Sequence, residues 1–141
     1  MKQVMTSALA AALMLGGLSM LTPAAVTADN RAAETRIQSK LTGGALNGVT
    51  PSGSARFRSR GTASNFSVEV EDVALADGTV LTVTLMRGTT AIPAGTLRLA
   101  LRRGEIDVNT NDGDTVPQAQ AGDVVVVSDG GAQALLSGAL R

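Results

Sequence analysis

The sequence predicts an all-β fold: an antiparallel β-sandwich of about eight short strands behind an export signal. Three observations predict it. Apolar and polar residues alternate with period two in one run after another, as where Phe66, Val68 and Val70 interleave with Ser67, Glu69 and Glu71. Gly, Asn, Asp and Pro break these runs at the roughly 8–12-residue spacing of sandwiches and barrels. Beyond residue 28, no segment sustains the i, i+3, i+4, i+7 apolar pattern of a helix. A closed barrel satisfies the same three observations. A ligand-holding barrel usually lines its cavity with aromatic side chains, however, and this chain has 2 Phe and neither Trp nor Tyr, which favours the sandwich.

The 141 residues include 12 Lys plus Arg and 12 Asp plus Glu, for a formal charge of zero. That balance, with no tyrosine or tryptophan for stacking, argues against a nucleic-acid partner. The chain has no histidine and no cysteine, which removes imidazole bases, thiolate nucleophiles, Cys/His zinc sites and disulfides. From Asp29 onward it carries 12 Val, 11 Leu, 3 Ile and 2 Phe, enough for one core.

Residues 1–28 read as a signal peptide with a helical apolar segment. Lys2 supplies the positive start, and Ala8 to Leu21 is a 14-residue uncharged stretch, short for a bilayer span. Val26-Thr27-Ala28 places small or modest side chains before a cut at Asp29. An uncleaved anchor over Val4 to Val26 is the alternative. The protein is therefore expected to be periplasmic or extracellular, meeting a membrane only through the signal segment before cleavage. Residues 29–34 read as a polar, flexible lead, and 35–141 as the sandwich domain.

The first strand is read from Ile37, Ser39 and Leu41 alternating with Arg36, Gln38 and Lys40. Gly43-Gly44, Asn47-Gly48 and Pro51-Ser52-Gly53 then turn the chain. Ser54 to Arg60 forms a second strand, with Ala55 and Phe57 inward and Arg56, Arg58 and Arg60 outward. Gly61 to Asn65 is expected to be a loop, and Phe66 to Glu71 a third strand with Glu69 and Glu71 outward. In such a hairpin the three arginines would face Glu69 and Glu71, and the basic stripe would be neutralised within the fold.

Asp77-Gly78 turns into a fourth strand, where Leu81, Val83 and Leu85 alternate with Thr82 and Thr84. Gly88 to Gly95, with Pro93, is expected to break the run. Leu97, Leu99 and Leu101 form a fifth strand, joined at Arg103-Gly104 to a sixth through Ile106 and Val108, as a hairpin. A polar loop from Asn111 to Ala121 leads to Val124–Val127, a seventh strand with no alternation, read as buried on both sides or ambiguous in register. After Asp129-Gly130-Gly131, an eighth strand runs through Leu135 or Leu136.

Three stretches carry a resemblance: Leu41 to Arg58, Phe66 to Val83, and Asn111 to Val127 followed by Leu135 to Leu140. Together they resemble a group of short exported bacterial proteins of unassigned function, distantly similar to the chordin-type CHRD domain. The opening Leu41-x-Gly43 and Pro51-x-Gly53-x-Ala55-x-Phe57 is the part most like CHRD, and it spans Leu41 to about Val70. The resemblance implies an immunoglobulin-like sandwich. CHRD domains usually carry a His-Ile-His segment, and this chain has no histidine, so no metal-binding or histidine-based role is implied.

Two candidate sites stand out. Asp107, Asn109, Asn111, Asp112 and Asp114 place carboxylate and amide oxygens, the ligand type of Ca²⁺, before the turn at Gly113. In an EF-hand loop the sixth position is Gly and the twelfth Glu, whereas here the sixth is Asp112 and the twelfth Gln118. The competing reading is a strand face running into an Asx-stabilised turn. Arg56, Arg58 and Arg60 offer a stripe for an anionic polymer, against the cross-strand neutralisation described above. No nucleophile–base pair is visible, and the carboxylates fall on strand faces and turns.

The expected function is that of an exported, non-catalytic module with a structural role or a role in binding a protein or cell-envelope component, without a required cofactor. The alternative is a Ca²⁺-stabilised binder of anionic or carbohydrate surface polymers.

Overall fold

In a computed structural model, which describes residues 33–130 and 133–141, the segment Glu34–Arg141 forms one compact unit. The expected signal peptide at 1–28 and residues 29–32 of the lead at 29–34 lie outside the described residues. The eight strands are β1 (Glu34–Thr42), β2 (Ser52–Arg60), β3 (Ala63–Glu71), β4 (Val80–Arg87), β5 (Thr90–Arg98), β6 (Gly104–Asn109), β7 (Val124–Ser128) and β8 (Ala134–Ala139). A single 3-10 turn at Thr110–Asp112 is the one helical element among the described residues. Glu34, placed in the lead by sequence, is the first residue of β1, because Arg60 pairs with it and extends the ladder to that point.

All the described pairings are antiparallel and join the strands into one sheet of order β5-β4-β7-β8-β1-β2-β3-β6. The two end strands, β5 and β6, pack against each other through side chains, so the sheet curls almost closed. A Cβ on Gly95 in β5 would lie 2.4 Å from Ile106 Cδ1 in β6, and one on Gly104 in β6 would lie 2.4 Å from Leu97 Cδ1 in β5. Glycine at these two points is what lets the edges approach. The core lies inside the curl. Ile37, Leu41, Phe57, Phe66, Val68, Val70, Leu81, Val83, Leu97, Val125 and Val127 are buried on one face of their strands, as period two requires. Leu99 and the adjacent pair Leu135 and Leu136 are buried too, and Ile106 and Val108 of β6 pack half-buried against them.

Three local expectations are corrected. The loop expected at Gly61–Asn65 is a two-residue turn at Gly61-Thr62, since Arg60 already pairs with Ala63. Gly61 sits at φ 61°, a conformation a tight hairpin needs and glycine adopts without penalty. The break expected at Gly88–Gly95 is confined to another two-residue turn, and β5 runs straight through Pro93 and Gly95. Proline is tolerated there because β5 ends the sheet, and the shift of register between Val83 and Thr84 absorbs one extra residue as a bulge. In β7, Val125 and Val127 are fully buried while Val124 and Val126 are half-buried, so the run alternates after all.

The expected hairpin of the fifth and sixth strands exists only at its tip. Ala100 and Arg103 bridge around Leu101-Arg102, and beyond that β5 pairs with β4 and β6 with β3. Leu101 and Arg102 both hold positive φ, 54° and 66°, the pattern of a type I′ turn usually given to Asn-Gly. Side chains with a Cβ are strained there by about 1–2 kcal/mol each. The turn is braced by the Asp77 carboxylate, which accepts from the Leu101 N–H at 2.8 Å, and by Val73 N–H donating to the Arg102 carbonyl at 3.0 Å. Replacing Leu101-Arg102 with Asn-Gly is therefore expected to stabilise the protein by about 1 kcal/mol. Chemical denaturation checks this, and unchanged or lower stability would show that the native side chains make compensating contacts.

Candidate functional site: a basic depression on the β1–β2 face

The outer face of β1, β2, β3 and β6 is built by register. Inward Ile37, Phe57, Phe66 and Val108 form one row across the four strands. The residues on either side of them in each strand therefore point outward. One outward row reads Arg36, Arg58, Asn65 and Asn109; the next reads Gln38, Arg56, Ser67 and Asp107; the third reads Lys40, Ser54, Glu69 and Glu105. These three rows are thus segregated by charge, with basic residues on β1 and β2 and acidic ones on β3 and β6, while Glu34 at the start of β1 adds one carboxylate to the basic side. Each half contains a like-charge pair directly across a ladder, Arg36 opposite Arg58 and Glu69 opposite Glu105. Such pairs destabilise a sheet.

This register overturns the expected neutralisation. Arg56 lies opposite Ser67, Arg58 opposite Asn65 and Arg60 opposite Ala63, whereas Glu69 and Glu71 lie opposite Ser54 and Ser52. The two-residue turn is the cause, because turn length sets which residues meet. Among the described residues, Arg56 and Arg60 form no ion pair. Arg58 meets Glu34 at 3.6 Å, and Arg36 Nε donates to the same Glu34 Oε2 at 2.8 Å. The Arg36 hydrogen bond, reinforced by the charges of Arg36, Arg58 and Arg60 and partly opposed by burial, holds the Glu34 carboxyl below its ordinary value. Arg36 is raised in turn, chiefly by that same hydrogen bond.

Arg36, Arg56, Arg58 and Arg141 line one open depression of about 410 Å³, completed by Ile37 and Gln38. No acidic side chain is in its wall. Arg141 is brought there by β8: its N–H donates to the Gln38 carbonyl at 3.0 Å, and Gln38 N–H returns a bond to Arg141 O at 3.1 Å. Close approach of β8 to β1 depends on Gly138, where a Cβ would lie 2.3 Å from the Lys40 carbonyl oxygen. A second depression of about 500 Å³ shares the Arg36 and Arg58 walls and adds Glu34, Arg60, Asn65, Asn109 and Asn111. A third, of about 670 Å³, shares Arg56 and Arg141 and adds Lys40. The three form a run of mainly guanidinium, ammonium, amide and hydroxyl groups, with the one carboxylate of Glu34 and without aromatic surface. Guanidinium forks match carboxylate, phosphate and sulfate oxygens.

The residues proposed for Ca²⁺ are divided. Asn109 Oδ1 accepts from Asn111 N–H at 2.9 Å, Asp114 Oδ2 accepts from Asn109 N–H at 3.0 Å, and Gly113 closes the 3-10 turn at φ 85°. The Asp107 carboxylate instead accepts from the Asn65 side chain on β3. Asp112 is exposed. Among the described residues no three acidic, His or Cys side chains gather as a metal site. The oxygens cap backbone and side-chain donors, which is the Asx-turn geometry.

Sequence reasoning singled out Arg56, Arg58 and Arg60 but missed Glu34, Arg36, Lys40 and Arg141. Arg36 and Lys40 were visible as the wet side of the first strand. Arg141 had no local signal, since only the pairing of β8 with β1 brings it to the site. Comparison with protein families, with curated proteins and with solved structures finds no match to this chain.

Proposed function

We propose that the protein is an exported, non-catalytic binding module that holds a linear anionic polysaccharide of the cell envelope across the basic β1–β2 face. The observation that carries this reading is the convergence of Arg36, Arg56, Arg58 and Arg141 on one depression with no acidic side chain in its wall. Placing Arg36 opposite Arg58 works against sheet stability, and a bound anion relieves it. The absence of His, Cys, Trp and Tyr from the sequence suits electrostatic capture of a polymer better than chemistry on it. On this reading the sheet is a flattened sandwich with halves β1-β2-β3-β6 and β5-β4-β7-β8, meeting at the thin β1–β8 seam. Consecutive neighbours β1, β2 and β3 depart from the strand order of an immunoglobulin domain.

The test is a variant with Arg36, Arg56 and Arg58 all replaced by glutamine. Its affinity for dextran sulfate at physiological salt is expected to fall about tenfold or more, with a shallower salt dependence. Its thermal stability should change little, because the like-charge pair is removed together with the exposed contacts of Glu34 to Arg36 and Arg58. Equal binding by parent and variant would overturn the proposal.

A further inference from the structure

The basic face carries one acidic side chain of its own, at the start of β1. Glu34 Oε2 sits between the two guanidinium groups of the like-charge pair, 2.8 Å from Arg36 and 3.6 Å from Arg58. Its own cross-strand partner is Arg60. Beyond Arg36 and Arg58 on the other side, the wall continues with Arg56 and Arg141. The Glu34 contact is open to water: the Arg36, Arg58 and Glu34 side chains are 67%, 51% and 32% exposed. Ion pairs this exposed are weak and exchangeable.

We infer that Glu34 occupies the place of one anionic group of the ligand, so that the Arg36–Arg58 pair is the central subsite and Glu34 its internal competitor. This rests on the anionic-polymer reading above. Two repelling guanidiniums at strand spacing are relieved by one oxyanion between them, and Glu34 supplies it in the free protein. When a polymer docks, one of its carboxylate, sulfate or phosphate groups takes that position and Glu34 swings toward water. The neighbouring anionic groups then fall on Arg60 to one side and on Arg56 and Arg141 to the other. Outward positions along a strand are about 7 Å apart, so the matching ligand carries charged groups at that spacing or a multiple of it.

The discriminating variant is Glu34→Gln, which keeps the side chain's size and hydrogen-bonding ability at an exposed strand end while removing its charge. Calorimetric titration with dextran sulfate and with polygalacturonate compares sulfate with carboxylate chemistry on parent, Glu34→Gln and Glu34→Asp. Glu34→Gln is expected to bind about three- to fivefold more tightly than the parent. Glu34→Asp, whose shorter side chain reaches the pair less well, should fall between them. Thermal melting of each variant verifies folding. If the parent binds and Glu34→Gln binds equally or less tightly, the competitor role is overturned while the polymer reading stands. If neither the parent nor Glu34→Gln binds either polymer, both are overturned.

Discussion

Replacing Phe66 with alanine is expected to destabilise the protein by about 3–5 kcal/mol. Phe66 is fully buried, and it lies directly opposite Phe57 on β2 and Val108 on β6. The two phenylalanines are the only aromatic residues of the chain, so this cross-strand pair is its largest single piece of interior volume. Truncation removes the transfer free energy of most of a ring and leaves a cavity between paired strands whose backbones cannot collapse into it. Domains of this size have about 5–15 kcal/mol in total, so the variant should be marginal and Phe57→Ala nearly as severe. Phe66→Leu, which keeps most of the volume, should lose far less. With no tryptophan or tyrosine to report by fluorescence, urea unfolding followed by far-ultraviolet circular dichroism is the measurement. A loss below about 1 kcal/mol for both alanine variants would mean that the inner face is not packed as described.

How far the fold was legible follows from which interactions are local. Alternation in Phe66–Glu71 or Leu81–Leu85 is imposed by one neighbouring core, so burial of Phe57, Val68, Val83 and Leu97 could be read directly from the chain. Turn length was legible only in part. Gly61 announced a turn but not that two residues suffice, and Pro93 looked like a break because its position at the sheet end is a property of the whole topology. Pairing of β1 with β8 and of β4 with β7 joins segments far apart in sequence, which no local pattern encodes.

The candidate site depends on those distant pairings more than the core does. An inward residue stays inward whichever strand lies beside it, whereas a surface charge acquires its meaning from its neighbour. Opposite Glu69 or Glu71, Arg58 would be neutralised across the ladder, whereas it lies opposite Arg36 and Asn65 and, among the described residues, meets only the carboxylate of Glu34. The turn at Gly61-Thr62 and the β1–β2 register decided that, the docking of β8 added Arg141, and the stripe alone contained none of it.

Asp123→Ala is the second substitution with a large expected effect, about 3 kcal/mol at neutral pH. Asp123 lies just before β7, and its side chain is only 4% exposed. Arg87, at the end of β4, grips it with two bonds, Nε to Oδ1 at 3.0 Å and an NH2 nitrogen to Oδ2 at 2.8 Å. The Gln120 N–H donates to Oδ2 at 2.8 Å, and the same Arg87 nitrogen donates to the Gln118 carbonyl at 2.8 Å. One carboxylate thus ties the loop before β7 to β4, and alanine would leave its donors without their acceptor. The Arg87 hydrogen bond above all, helped by the Gln120 N–H and opposed by burial, holds the Asp123 carboxyl below its ordinary value of 3.8. A carboxyl whose native value is depressed stabilises the fold above the unfolded value and loses that contribution as the pH falls through the native one. The stability difference between parent and Asp123→Ala should therefore be constant from neutral pH down to about 4–5 and shrink below that. Denaturation of both proteins across that range isolates this carboxyl, because every other acid titrates alike in the two. A difference that does not change with pH would mean that the Asp123–Arg87 contact does not depend on charge.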